Sequence, residues 1–231
     1  RYSQLCVLDV AGDVSETGRV ATTPPALTRR FGPMPRARVV CESCTHSPWI
    51  DRLLTALGHE VIVSNARRVQ LIAQNNTKTD AVDAELLARL GRADPRLLQP
   101  VHHRGAEAQA DLAAIRSRDA LVRARTLLVN HVRGSVKAMG GRLPACSTAS
   151  FARHAAPALP PALVPSLTPV LTEVTSLTTQ IRGDDRHIEQ LVDTRYPEAR
   201  ALMQLAGVGA LNALCFVLVL EDPDRFPTSR A

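Results

Sequence analysis

Residues 38–64 read RVVCESCTHSPWIDRLLTALGHEVIVS. Arg38-Val-Val-Cys-Glu42 is a short apolar run bounded by charge, which predicts a buried strand. His46 to Gly58 predicts a helix closed by glycine. Glu60-Val-Ile-Val-Ser64 predicts a second strand. A strand, a helix and a strand in this order form the unit of a parallel pair, so this stretch sets an α/β layer.

Upstream, Gln4 to Leu8 and Val14 to Thr22 read as two further strands, with Asp9-Val-Ala-Gly12 as the turn between them. Asp at the first position and Gly at the fourth are type I turn chemistry. Pro24-Pro25 opens a short helix through Phe31. Together these elements predict a mixed sheet. Downstream, Val82, Leu86, Leu87 and Leu90 repeat at helical spacing from Thr79, with Gly91 near the end. A loop over 95–104 precedes a long helix from about Gly105 to Met139. Residues 143–169 hold six prolines, too many for a helix interior, and read as a linker or capping segment. Beyond it a heptad places Leu167, Val174, Ile181 and Ile188 in one core row and Val170, Leu177, Asp184 and Leu191 in the other. That pattern predicts a helical hairpin or coiled-coil arm and suggests self-association. Leu202 to Leu220 reads as helix, Gly207-Val-Gly209, helix.

Composition narrows the function classes. The longest nearly continuous apolar run, Ala210 to Leu220, is well short of the roughly 20 residues of a membrane-spanning helix. The 231 residues carry +6, with 26 Arg against 2 Lys, a balance that favours a polyanionic partner. The excess is concentrated in the long helix, where Arg116, Arg118, Arg123, Arg125, Arg133 and Lys137 face Asp111 and Asp119. That helix can grip a nucleic-acid backbone or be a solvated face. Seven aromatics in the whole chain leave little room for base stacking. Five scattered cysteines fit a reducing, cytoplasmic compartment. Cys41 and Cys44 have the gap of a zinc knuckle, but no second pair follows at usable spacing, so they read as ordinary thiols.

The carboxylates carry the candidate chemistry. Asp80 and Asp83 stand three apart in a helix's first turn, on one face. Glu42 ends a buried strand, the edge at which open α/β sheets collect ligands. Three such oxygens suit Mg²⁺. Acids in a first turn also simply offset the helix dipole.

Lys78-Thr-Asp80-Ala-Val-Asp83-Ala84 with Glu85-Leu-Leu-Ala-Arg-Leu90 resembles the K-T-D-x-x-D-A signature of the DEDD-type insertion-sequence transposases, the IS110 family. Leu57-Gly-His-Glu-Val61, Asn65, the stretch Arg116 to Arg133, and Leu205-Ala-Gly-Val-Gly209 through Asp224-Arg-Phe226 resemble the same family in the same order. The resemblance implies a ribonuclease-H-like domain of RuvC type over 1–104, a helical and coiled-coil middle over 105–195, and the start of a C-terminal transposase domain over 196–231. It implies Mg²⁺ or Mn²⁺ held by four acids, of which Glu42, Asp80 and Asp83 are the second, third and fourth, and a nucleophilic serine in the C-terminal domain. DNA, a guide RNA, a homo-oligomer and a place at the bacterial nucleoid follow from it as partners and location.

Two departures bear on activity. The family's first acid precedes a Tyr-Ser-Gln that here stands at Tyr2-Ser-Gln4, so the first acid and first strand are expected upstream. Asp9 reads as a turn residue and not as its substitute. Ser229 lacks the glycine that follows the family's serine and is not read as the nucleophile. The 231 residues alone are therefore expected to be inactive in transposition. A binding module without catalysis, or a decayed remnant, are the alternatives. Gly207 and Gly209 fit a helix-hairpin-helix that meets a phosphate, or a tight packing turn.

Overall fold

The computed structural model describes residues 1–65 and 79–220. Lys78, Asp224 to Phe226 and Ser229 lie outside the described residues. The chain divides into a unit from Arg1 to Arg104 and a second unit that begins at Gly105.

In the first unit, β1 (Tyr2–Leu8) and β2 (Val14–Ala21) form an antiparallel hairpin. Asp9 Oδ1 accepts the backbone N–H groups of Gly12 and Asp13 at 2.8 and 3.0 Å, which closes the turn as its sequence predicts. β3 (Arg38–Glu42) pairs in parallel with β4 (Glu60–Ser64), Arg38 opposite Glu60 and Glu42 opposite Ser64. Helices α1 (Pro24–Phe31) and α2 (Ser47–Ala56) connect these strands. Their buried Leu27, Phe31 and Leu54 pack with Leu5, Val20, Val39 and Val61, so both strand pairs share one small core.

Among the described residues the expected mixed sheet is two separate two-stranded sheets. Helix α3 (Asp80–Ala93) packs on both β1 and β3, yet no ladder joins these strands. At β3 the approach is close: a Cβ at Gly91 would lie 2.3 Å from Val40 Cγ2. Val40 faces α3 while its neighbour Val39 faces the core beneath α1 and α2, as pleat alternation requires. Gly91 is thus a contact point inside α3 and not its cap; the helix runs on to Ala93.

The second unit is built on two long helices, α4 (Ala106–Ala138) and α6 (Val164–Thr194). They pair antiparallel: Asp111, Arg118 and Arg125 on α4 meet Arg195, Asp185 and Thr178 near and on α6. The 143–169 stretch is not an open linker. It holds the short helix α5 (Phe151–Ala155) and three-residue 3₁₀ turns, and Phe151, Ala155 and Leu159 are buried against Val129, Val132, Val136, Leu167, Leu171 and Val174. Its prolines open these turns: Pro157, Pro161 and Pro165 sit at first or second helical positions, where a missing N–H costs nothing, and Pro169 alone is inside a helix.

The first heptad row is buried as expected, from Leu167 to Ile188. Of the expected second row, Leu191 is buried and Val170 packs against the apolar cluster, while Leu177 and Asp184 are only half-buried. Leu171, Thr178, Asp185 and Val192 also line the seam, four residues after each member of the first row where the apolar pattern favoured three. Both spacings lie on one helical face, and apolar Val170, Leu177 and Leu191 outweighed a row containing Thr178 and Asp185.

Helices α7 (Pro197–Leu202) and α8 (Ala210–Leu220) complete the unit. Ala199, Ala213, Leu214 and Leu218 share a core with Ala108, Leu112, Ile115, Ile188, Leu191 and Val192. Residues 196–220 therefore pack with the long helices. Among the described residues no helix is long and apolar enough to cross a membrane.

Candidate functional site

Glu42 is the exposed last residue of β3, and Asp80 and Asp83 occupy the first turn of α3. Thr79 caps that turn, its hydroxyl accepting the Val82 N–H at 3.3 Å, and so fixes where both aspartates emerge. Arg38 at the start of β3 donates to the Gly91 carbonyl at 3.0 Å, and Arg89 and Arg92 donate to the Gly12 and Val10 carbonyls at 3.3 and 2.8 Å. These bonds anchor the far end of α3, away from its acids. The oxygens suit a hard cation, but among the described residues no three His, Cys, Asp or Glu side chains are grouped to hold a metal ion. As placed, Glu42, Asp80 and Asp83 do not by themselves fit Mg²⁺.

The loop that leaves β3 after Glu42 is held by a network that the sequence did not signal. Ser47, 1% exposed, accepts the Cys44 N–H at 3.0 Å and donates to the Cys44 carbonyl at 2.8 Å. With its proton so used, Ser47 Oγ accepts from His103 Nε2 at 2.8 Å. Burial lowers the His103 pKa, with Arg52 and Arg104 acting in the same sense and Asp51 against them. Trp49 Nε1 donates to His46 Nδ1 at 3.3 Å. The Cys44–Ser47 turn just past Glu42 thus depends on residues from α2 and from the loop past Leu98. Cys41 beside it is a protonated thiol, its pKa pushed up to about 12, chiefly by burial. Such a thiol is a poor zinc ligand.

The arginines of α4 separate into two groups. Arg116 and Arg123 are exposed, Arg123 paired with Asp119 one turn back. Arg118 and Arg125 turn into the seam, where Arg118 Nε donates to Asp185 Oδ1 at 2.7 Å and Arg125 donates to Thr178 Oγ1 at 3.3 Å. Arg133 lies over the Phe151 ring, 5.2 Å from its centroid, an exposed cation on a buried aromatic. The helix is therefore partly a basic face and partly a packing surface.

At the α7–α8 connection Gly207 has φ +85°, the left-handed region that side chains rarely adopt. Nothing lies within 4 Å of a Cβ built at Gly207 or Gly209. Internal packing does not call for a small residue at Gly209, which leaves the hairpin backbone open to approach from outside.

Comparison with known proteins supplies the family. A family model described as a transposase, of the DEDD IS110 type, matches residues 1–139. The chain belongs to the DEDD transposase family of IS110 type. Over 209 residues this transposase chain is 28% identical to the transposase for insertion sequence element IS1328 of Yersinia enterocolitica, covering 88% of the chain and 61% of that protein. A "Probable family 20 transposase" of Pseudomonas aeruginosa is 29% identical over 87% of the chain and 60% of its own length. A third relative, from Sinorhizobium fredii and bearing the transposase name y4pF/y4sB, is 27% identical over 88% and 53%. The chain spans between about half and three fifths of these relatives' lengths.

One set of residues in the transposase chain went unread in its sequence. Asp111 reads in sequence as a counter-charge for the basic helix, but it is 7% exposed and accepts from Arg195 and from the Tyr196 hydroxyl, both at 2.7 Å. Burial first, then that bond, pushes the Tyr196 pKa up to about 12. The available signal was the seven-residue spacing of Asp111, Arg118 and Arg125, a polar row with the period of the seam.

Proposed function

We propose that these residues are part of an insertion-sequence transposase, a recombinase that cuts and rejoins DNA at the element's ends and its target. Residues 1–104 are its catalytic domain, 105–195 its helical arm and 196–231 the opening of its C-terminal domain. The observation that supports this reading most directly is the arrangement of α3, which lies on β1 and β3 while those strands remain unpaired with each other. One added strand, carrying the family's first acid, would join the two pairs into a ribonuclease-H-like mixed sheet of RuvC type.

The geometry of α3 suits the same reading. Gly91 to Asp83 is about 12 Å of helix, and Arg38 to Glu42 is about 13 Å of strand. With Gly91 anchored at Arg38, a helix running back along β3 carries Asp80 and Asp83 toward Glu42. The family resemblance has Mg²⁺ or Mn²⁺ held by these three acids and a fourth, an arrangement that the three do not make as placed among the described residues. Arg116 and Arg123, with the open hairpin at Gly207 and Gly209, are the nucleic-acid contacts. The guide RNA, the homo-oligomer and the nucleoid location rest on the family resemblance and the heptads.

The test is a donor–target transposition assay with the longer reading frame and with its Glu42→Gln and Asp80→Asn variants. Both variants should lose transposition while retaining DNA binding. Transposition by the 231 residues alone would overturn the fragment reading. The second reading, a binding module without catalysis, is favoured by the absence of a metal-capable trio among the described residues. It requires that DNA binding ignore Mg²⁺ and that both variants behave as wild type.

A further inference from the structure

The α4–α6 hairpin contains a polar break. At one end Ala108, Leu112 and Ile115 pack with Ile188, Leu191 and Val192; at the other Val129, Val132 and Val136 pack with Leu167, Leu171 and Val174. Between the two apolar clusters the seam is made by Arg118, Arg125, Thr178 and Asp185 around buried Ile181.

The break is not balanced in charge or in hydrogen bonds. Asp185 accepts from Arg118 Nε. The Thr178 hydroxyl donates to the Val174 carbonyl at 2.7 Å, so toward Arg125 it acts only as an acceptor. Arg125 Nε is buried without an acceptor. Arg182, one turn beyond Thr178 on the same face of α6 and exposed, is a third guanidinium whose charge reaches Arg125. Burial first, then the field of Arg118, holds the Arg125 pKa below its ordinary value, with Asp185 acting against them and Arg182 with them. An all-apolar seam would hold two helices at least as well. Three donors of fork geometry around one orphaned N–H are, however, the donor set that a tetrahedral oxyanion takes.

We propose that Arg118, Arg125 and Arg182, with Thr178 steering Arg125, bind one phosphodiester group of a nucleic-acid strand that lies along the hairpin. The proposal rests on the nucleic-acid reading of the α4 arginines and moves the contact from the exposed face of α4 into the α4–α6 seam.

Two measurements on the full chain test it. The first is thermal melting in phosphate against chloride at equal ionic strength, with wild type, Arg125→Met and Arg182→Gln. The second is the salt dependence of binding to a short duplex DNA and to a single-stranded RNA. Phosphate should raise the wild-type midpoint and leave that of Arg125→Met unmoved. Arg125→Met should bind about tenfold more weakly, with a log K against log salt slope shallower by about one. If Arg125→Met fails to fold, the exposed Arg182→Gln carries the same expectations. A phosphate effect that survives both substitutions, or nucleic-acid binding with unchanged affinity and slope in both, would overturn the site and leave the wider reading standing. An Arg125-dependent phosphate effect in a chain that binds neither DNA nor RNA would keep the anion site and overturn the nucleic-acid reading.

Discussion

Arg118 Nε meets Asp185 Oδ1 at 2.7 Å across the seam of the two long helices, one heptad from the Arg125–Thr178 contact and one from Asp111. The pair is partly open to water, Asp185 more than Arg118. A double-mutant cycle on the two residues should give a coupling of about 0.2–1 kcal/mol. Replacing both by Met and Leu should leave the melting temperature unchanged or raise it. A fall of several degrees in that double variant, by circular dichroism, would show that the pair holds the helices together.

Asp111 differs from that pair because its carboxylate is buried and serves two donors. Asp111→Ala leaves the Tyr196 hydroxyl without its acceptor while the half-exposed Arg195 stays solvated, and a loss of about 1–2 kcal/mol in urea unfolding is expected. Asp111→Asn should lower the Tyr196 pKa from about 12, read by ultraviolet titration against exposed Tyr2.

Gly91→Ala places a methyl 2.3 Å from Val40 Cγ2, so α3 must shift or Val40 must move. Equilibrium unfolding should show a loss of about 1–3 kcal/mol. Adding Val40→Ala should return part of it. Equal stability of Gly91→Ala and wild type would mean that α3 does not approach β3 this closely.

His103 gives the fold a pH dependence. Its folded pKa lies below the ordinary 6.5, so the unfolded chain takes up the proton first as pH falls. Its contribution is complete above about pH 7 and is lost as pH drops through 6.5 toward the folded value. The melting temperature should fall over that window in wild type and fall less in His103→Gln. Identical profiles would remove His103 from the loop's support.

Local chemistry was legible in the sequence and long-range pairing was not. β3 and β4 carry the predicted bounds, and Asp9 and Gly12 make the predicted turn, because these elements are set by neighbours in the chain. The polar stretch of the seam was not legible, since Thr178 and Asp185 owe their places to Arg125 and Arg118, dozens of residues away. Gly91 reads in sequence only as a residue near the helix end, whereas the approach of Val40, far away in the chain, is what requires glycine there. Of the candidate site, the turn bearing Asp80 and Asp83 was readable from Thr79 and the spacing. The His103–Ser47 support of the turn past Glu42 was not, since neither residue belongs to a pattern.

The 33 residues of α4 make a rod about 50 Å long, close to one and a half turns of B-form DNA. A rod of that kind fixes angle along with distance. One residue inserted near its middle advances everything beyond it by 1.5 Å but swings it through about 100°, whereas seven residues restore the heading to within about 20°. Whatever the two ends of the hairpin grasp is therefore held in a set rotational phase. The arm should tolerate changes of length only in whole heptads made on both helices together.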